Sequence, residues 1–134
     1  MIRITVSNRR IQVDDDKPLE TVLDTNSYLN NPTVIDEYKI YSLPDVRMFN
    51  TSGSCLIYVK NTHIDKITFT TINPLSIFNI RNVTENDTVF GTLKAYLHDN
   101  YRCIDERHFF NKKYDIELVN NNINCMVTIT IRSD

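Results

Sequence analysis

Six residues between positions 98 and 108 carry side chains that can bind metals: His98, Asp99, Cys103, Asp105, Glu106 and His108. Imidazole, thiolate and carboxylate all ligate transition metals. Their spacings match no standard site, and a solvated loop with Cys103 packed beneath it explains the same residues without a metal. Neither a metal nor another cofactor is therefore expected. The same stretch supports a second chemistry. Tyr101, Phe109, Phe110 and Tyr114 stand among Arg102, Arg107, Lys112 and Lys113, the mixture that base stacking and phosphate contacts require. Tyr101, Arg102, Arg107, Phe109, Lys112 and Lys113 form the candidate nucleic-acid surface. Asp105 and Glu106 offset half of its charge, and aromatics packed inward beneath basic stems are the plainer account.

Two further clusters are weaker. Cys55 follows Ser52-Gly53-Ser54, and His63 could serve it as a base. Cys55 opens an apolar strand, however, which implies a buried and inert thiol. Asp14-Asp15-Asp16 resembles half of a divalent-cation site, but a turn capping a helix accounts for it more simply.

Several chemistries are excluded by what is missing. Gly53 and Gly91 are the only glycines, so no phosphate-cradling glycine loop can be built. No serine lies between two suitably spaced glycines, as a nucleophile elbow demands. No Cys-x-x-Cys pair occurs, which removes zinc ribbons and thioredoxin-type redox centres. No catalytic residue is assigned, and the expectation is that the chain is not an enzyme.

The elements that must position these residues are legible in composition and periodicity. The 134 residues suit one domain spanning 1–134, with 41% hydrophobic and 24% charged residues. Ala95 is the only alanine, while Ile, Thr and Tyr abound, which favours sheet over helix. Formal net charge is −2, with 8 basic and 9 acidic residues up to position 67 and 7 and 8 beyond it. No basic half exists to steer nucleic acid. The opening Met1-Ile2-Arg3-Ile4-Thr5-Val6 alternates and does not form a secretory h-region, and no apolar run approaches a membrane span. Cys55, Cys103 and Cys125 are an odd, scattered set that suits a reducing compartment without disulfides. Sequons at Asn50, Asn82 and Asn86 are then chance in an Asn-rich chain.

Ile2, Ile4 and Val6 predict a first strand, and Ile11 and Val13 a second across an Asn8-Arg9 turn. Leu19, Val22 and Leu23 predict a helix over Leu19–Asn26 with Pro18 in its first turn. A strand begins near Val34 and breaks at Leu43-Pro44, and a glycine turn lies near Asn50 to Ser54. Strands follow over Cys55–Lys60, Lys66–Ile72 and Ser76–Val83. A second helix covers Val89–Asn100, capped by Asp87 or Thr88. Tyr114, Ile116 and Leu118, then Ile123 to Ile131, form the clearest hairpin, turning at Asn120-Asn121-Asn122.

Two stretches resemble known families. Ile4-Thr5-Val6 to Val13-Asp14-Asp15, with Pro18-Leu19 to Leu23, looks like the opening of plant-type iron–sulfur domains of β-grasp fold. The closely spaced cluster cysteines of that family are absent here, so the resemblance implies a β-grasp-like start and no cluster. Asn86-Asp87-Thr88-Val89, Leu93, Tyr96-Leu97, Tyr114-Asp115-Ile116 and the final hairpin look like the C-terminal lobe of the N-domain of valosin-type AAA ATPases. That resemblance implies adaptor recognition without chemistry, and Tyr114 replaces the family's usual glycine.

The expected fold is therefore α+β and β-rich, a mostly antiparallel sheet or small barrel with a β-grasp-like start and two short helices. The expected function is a non-enzymatic protein-interaction or assembly module, of the kind found among viral structural and accessory proteins. Its partner is another protein or a second copy of itself, not a membrane, and its place is the cytoplasm, nucleus or a virion. The final strand (Asn124 to Arg132) or the first (Ile2 to Ser7) is the expected free edge. The alternatives are a nucleic-acid-binding module using residues 101–114, the adaptor-recognition domain just described, and a small metal-dependent enzyme.

Overall fold

The computed structural model describes residues 2–7, 10–14, 17–25, 32–71, 80–120 and 124–132. The order begins with β1 (Ile2–Val6), β2 (Ile11–Val13), β3 (Lys17–Pro18), α1 (Leu19–Thr25), β4 (Thr33–Ile35) and β5 (Tyr38–Met48). It continues with β6 (Thr51–Lys60), β7 (His63–Thr71), α2 (Ile80–Asn100), β8 (Arg102–Cys103), β9 (His108–Phe110), β10 (Tyr114–Asn120) and β11 (Cys125–Ile131). The strands form one sheet ordered β3-β2-β1-β5-β6-β7-β11-β10-β9-β8, with β4 added beside β5. The path has two ends, so the sheet is open and the barrel expectation finds no support. Among the described strands, β1 and β5 run parallel and the remaining pairs antiparallel, so the sheet is mixed.

Alternation builds the core. Cys55, Ile57 and Val59 of β6, Ile67 and Phe69 of β7, and Val127 and Ile129 of β11 are buried, while their sequence neighbours are not. Strand residues point alternately to the two faces, so a single register fills one face with apolar side chains. Leu93 and Leu97 of α2, four residues apart on one helix face, are fully buried in the same cluster. Leu19, Val22 and Leu23 of α1 join it near the β1–β2 hairpin. The end of α2 is tied down twice. Asn100 Nδ2 donates to Tyr96 O at 2.8 Å, satisfying a terminal carbonyl, and Tyr101 Oη donates to Val6 O of β1 at 3.1 Å.

Three tight hairpins need left-handed backbone. Phe49 and Asn50 have φ of 53° and 60° between the paired Met48 and Thr51, and Asn61 and Thr62 have 51° and 67° between Lys60 and His63. Two successive positive φ values match the twist of antiparallel strands. Asn adopts them readily, whereas Phe and Thr do not. Phe49 is held there by its ring, which is buried with its centroid 5.4 Å from that of Tyr96 on α2. Asp36, with φ of 54°, opens the third turn, between Ile35 and Tyr38.

Several expectations change. Asp36-Glu37 is the turn of a β4–β5 hairpin and not an irregularity within one strand. Leu43-Pro44 does not end β5. The register shifts between Leu43 and Val46, and a bulge absorbs the extra residue, where proline's missing N–H costs no ladder bond. Pro18 sits in β3 opposite Gln12, and α1 starts after it. Asp14 accepts the Arg3 N–H at 3.2 Å rather than capping the helix, while Asp15 and Asp16 lie outside the described residues. The strand read over Ser76–Val83 falls partly outside those residues, and from Ile80 onward the chain is helical. Extending a formed helix adds a hydrogen bond per residue, which outweighs a propensity deficit of a few tenths of a kcal/mol at Ile or Val. Both expected edges are internal: β1 lies between β2 and β5, and β11 between β7 and β10.

Gly53 is not a turn residue. It pairs with Thr71 inside β6, and a Cβ there would fall 2.3 Å from Thr70 O and 2.7 Å from Phe69 Cε2. The Phe69 ring occupies the space a side chain would need. Gly53→Ala is expected to cost about 1–3 kcal/mol by overpacking, read as a lower denaturation midpoint. An unchanged midpoint would contradict this packing.

Candidate functional site

The face of the sheet away from the core can be followed across the ladder. Ile40, Tyr58, Lys66, Thr130, Asp115, Phe110 and Arg102 lie side by side in register. The next row runs Ser42, Leu56, Thr68, Thr128, Glu117 and His108. These rows mix hydroxyl, charged and partly exposed apolar side chains.

One end of this face is a cleft of about 350 Å³ bordered by Ile35, Tyr38, Ile40, Tyr58, Asp65 and Lys66. A bulge shapes it. The β6–β7 register shifts between Tyr58 and Val59, leaving Asp65 as an extra residue of β7. Bulges redirect side chains, and here the Asp65 carboxylate accepts the Tyr38 hydroxyl at 3.0 Å. That hydrogen bond raises the Tyr38 pKa above its ordinary value. The Tyr38 and Tyr58 rings meet edge to face, with centroids 6.1 Å apart and planes at 86°. Lys66 Nζ lies 4.4 Å from the Tyr58 centroid, and Lys60 Nζ pairs with Glu37 at 3.0 Å. Both rings are therefore held before anything binds. Beside the cleft runs β4, whose Val34 and Ile35 are 67% and 52% exposed. It pairs with β5 on one side.

The residues of the candidate nucleic-acid surface separate. Phe109 is 1% exposed and Tyr101 8%, both in the core, and Tyr114 is buried too, so these rings offer no stacking face. Burial pushes the Tyr114 hydroxyl up to about 12 and raises that of Tyr101 as well. Tyr101, Arg102 and Lys112 do come together, with Phe110, Asn111 and Arg132, around a cavity of about 610 Å³ at the end of α2, Tyr101 forming part of its wall from a largely buried position. Asp99 lines it as well, and Arg132 is engaged by Asp115, with Nε 2.8 Å from Oδ2. Arg107 and Lys113 do not line that cavity.

The metal-type residues separate likewise. Among the described residues, no group of three or more His, Cys, Asp and Glu is arranged to hold an ion. Cys103 is exposed and not packed, its Sγ donating to Asp105 O at 2.9 Å. The His98 ring stands edge-on to Phe109, centroids 5.9 Å apart. His108 is the exception, drawn between two carboxylates. Its Nδ1 is 2.9 Å from both Asp105 oxygens and its Nε2 is 3.2 Å from Glu117 Oε2. Asp105 also accepts the Arg107 and His108 backbone N–H groups at 2.8 and 3.0 Å, closing the loop between β8 and β9. Cys55 is buried with its thiol pushed up to about 12 by desolvation. His63 pairs with Lys60, five residues along β6 from Cys55 and so roughly 16 Å away, too far to act as its base.

Among the described residues, no helix is long and apolar enough to cross a membrane. Comparison of the chain with known protein families, curated proteins and solved structures finds no match.

The Asp105 hydrogen bond, followed by that to Glu117, raises the His108 pKa. A raised histidine stabilises the fold fully below its unfolded value, and that contribution is lost as pH rises through the folded value. NMR titration of His108 is expected to give a pKa above the ordinary value of about 6.5, falling in Asp105→Asn and further when Glu117→Gln is added. A titration unmoved by either change would dismiss the bridge.

Proposed function

We propose that the chain is a non-enzymatic protein-interaction module, and that it associates with a protein partner or a second copy through β4 and the tyrosine cleft beside it. One observation carries this reading: an edge strand with Val34 and Ile35 more than half exposed borders a cleft with two pre-positioned tyrosines. Unpaired strand edges recruit additional strands through backbone hydrogen bonds. Tyrosines flanked by aliphatic residues are the usual energetic centres of protein interfaces. The near-neutral charge supports the same reading, because sequence-independent nucleic-acid binding needs many cations free for phosphate. Three free thiols support a reducing compartment, as suits an intracellular assembly component.

A nucleic-acid module is the second reading, favoured by Arg102, Lys112 and Phe110 around one cavity. Light scattering over a range of concentrations, with an oligonucleotide titration at several salt concentrations, separates the two. Self-association that Val34→Lys and Tyr58→Ala each weaken at least tenfold is the expected result. A strict monomer that binds single strands tightly, with affinity falling steeply as salt rises, would replace this reading with its rival.

A further inference from the structure

We propose that Arg3 and Arg47 form a binding site for a phosphate group. The two residues are direct partners in the parallel β1–β5 pair, and both side chains are exposed. Neighbouring strands lie about 4.8 Å apart, so two positive side chains rise from adjacent backbones, an arrangement that destabilises a sheet unless an anion separates them. Among the described residues, neither guanidinium is paired with a carboxylate. Asp14 meets Arg3 through the backbone, its Oδ1 accepting the Arg3 N–H at 3.2 Å.

Between them is a cavity of about 180 Å³ that Thr5, Asn50 and Tyr96 also line, and none of its lining residues is acidic. Arg47 Nη2 donates to Asn50 O at 3.3 Å, which anchors one arm of its fork at the rim. Asn50 is itself fixed in the left-handed Phe49–Asn50 turn, whose Phe49 ring packs on Tyr96. The cavity wall is thus tied to α2 and β5 together.

The chemistry selects the ligand. Two guanidinium forks match the oxygens of a tetrahedral oxyanion, and their combined charge matches a phosphate monoester near pH 7. Thr5, Asn50 and Tyr96, which also line the cavity, are residue types that carry neutral donors. The space holds a phosphate group with few waters and no nucleoside, so whatever carries the phosphate stays outside. That carrier is either a small free phosphate or a phosphorylated side chain of a partner protein. The site lies nine residues along β5 from Tyr38, roughly 30 Å away, so it stands or falls apart from the β4 interface.

The test follows the thermal midpoint of the whole chain at fixed ionic strength, with inorganic phosphate, phosphoserine or a phosphoserine peptide against chloride. The wild-type midpoint should rise saturably with each phosphate and not with chloride. The double variant Arg3→Gln/Arg47→Gln should fold with a midpoint at or above wild type in low salt, since it removes a repulsion. Its response should need at least tenfold more phosphate. Tighter binding of the peptide than of phosphate would assign the group to a partner protein, and equal binding to a free anion. The proposal is overturned if chloride matches phosphate, or if the double variant responds as the wild type does. It is overturned equally if only oligonucleotides bind and the double variant loses them.

Discussion

Alternation along β5, β6, β7, β11 and β10, broken by one bulge each in β5 and β7, is the constraint on which everything else depends. Each strand places most of its aliphatic and aromatic residues on one face, and a slip of one residue would carry that buried set into water. The β6–β7–β11 ladder keeps Ile57, Ile67 and Ile129 in one buried row, while Tyr58, Lys66 and Thr130 form the matching row on the far side. Core and surface are thus two outcomes of the same register. Gly53 contributes to holding that register, because the Phe69 ring fits only where β6 has no side chain.

The places where alternation is interrupted are the places where the surface acquires character. The bulge at Asp65 aims a carboxylate at Tyr38, and the bulge at Pro44-Asp45 lets β5 continue toward Arg47 beside β1. The left-handed turn at Phe49–Asn50 couples β5 to α2 through the Tyr96 ring. These irregularities cost local stability. At Asp65 a side-chain hydrogen bond offsets the cost, and at Phe49–Asn50 a buried ring does.

Local pattern made part of this legible in the sequence. The β10–β11 hairpin, the alternation of β1 and β2, the apolar face of α1 and the Val89–Asn100 half of α2 follow from periodicity that a short window contains. The β4–β5 turn at Asp36-Glu37 was hidden because one polar pair reads equally as a phase error. Pro44 reads as a terminator until the bulge that accommodates it is known. Gly53 reads as a turn because its tight contact is with Phe69, sixteen positions later. The free edges depend on which strands become neighbours, and no local signal brings β1 beside β5. For the same reason the aromatic and basic residues of 101–114 read as one surface. Phe109 and Tyr114 are drawn into the core, and Tyr101, though largely buried, still borders the cavity that Arg102, Lys112 and Phe110 line.

Two adjacent residues of β6 test the division into core and outer face most directly. Leu56 is 38% exposed on the outer face and Ile57 is fully buried. Equilibrium unfolding of Leu56→Asp and Ile57→Asp, measured side by side, isolates the register from the chemistry of the change. The expected result is a Leu56→Asp midpoint within about 0.5 kcal/mol of wild type and loss of cooperative folding in Ile57→Asp. Equal damage from both, or greater damage at Leu56, would contradict the account.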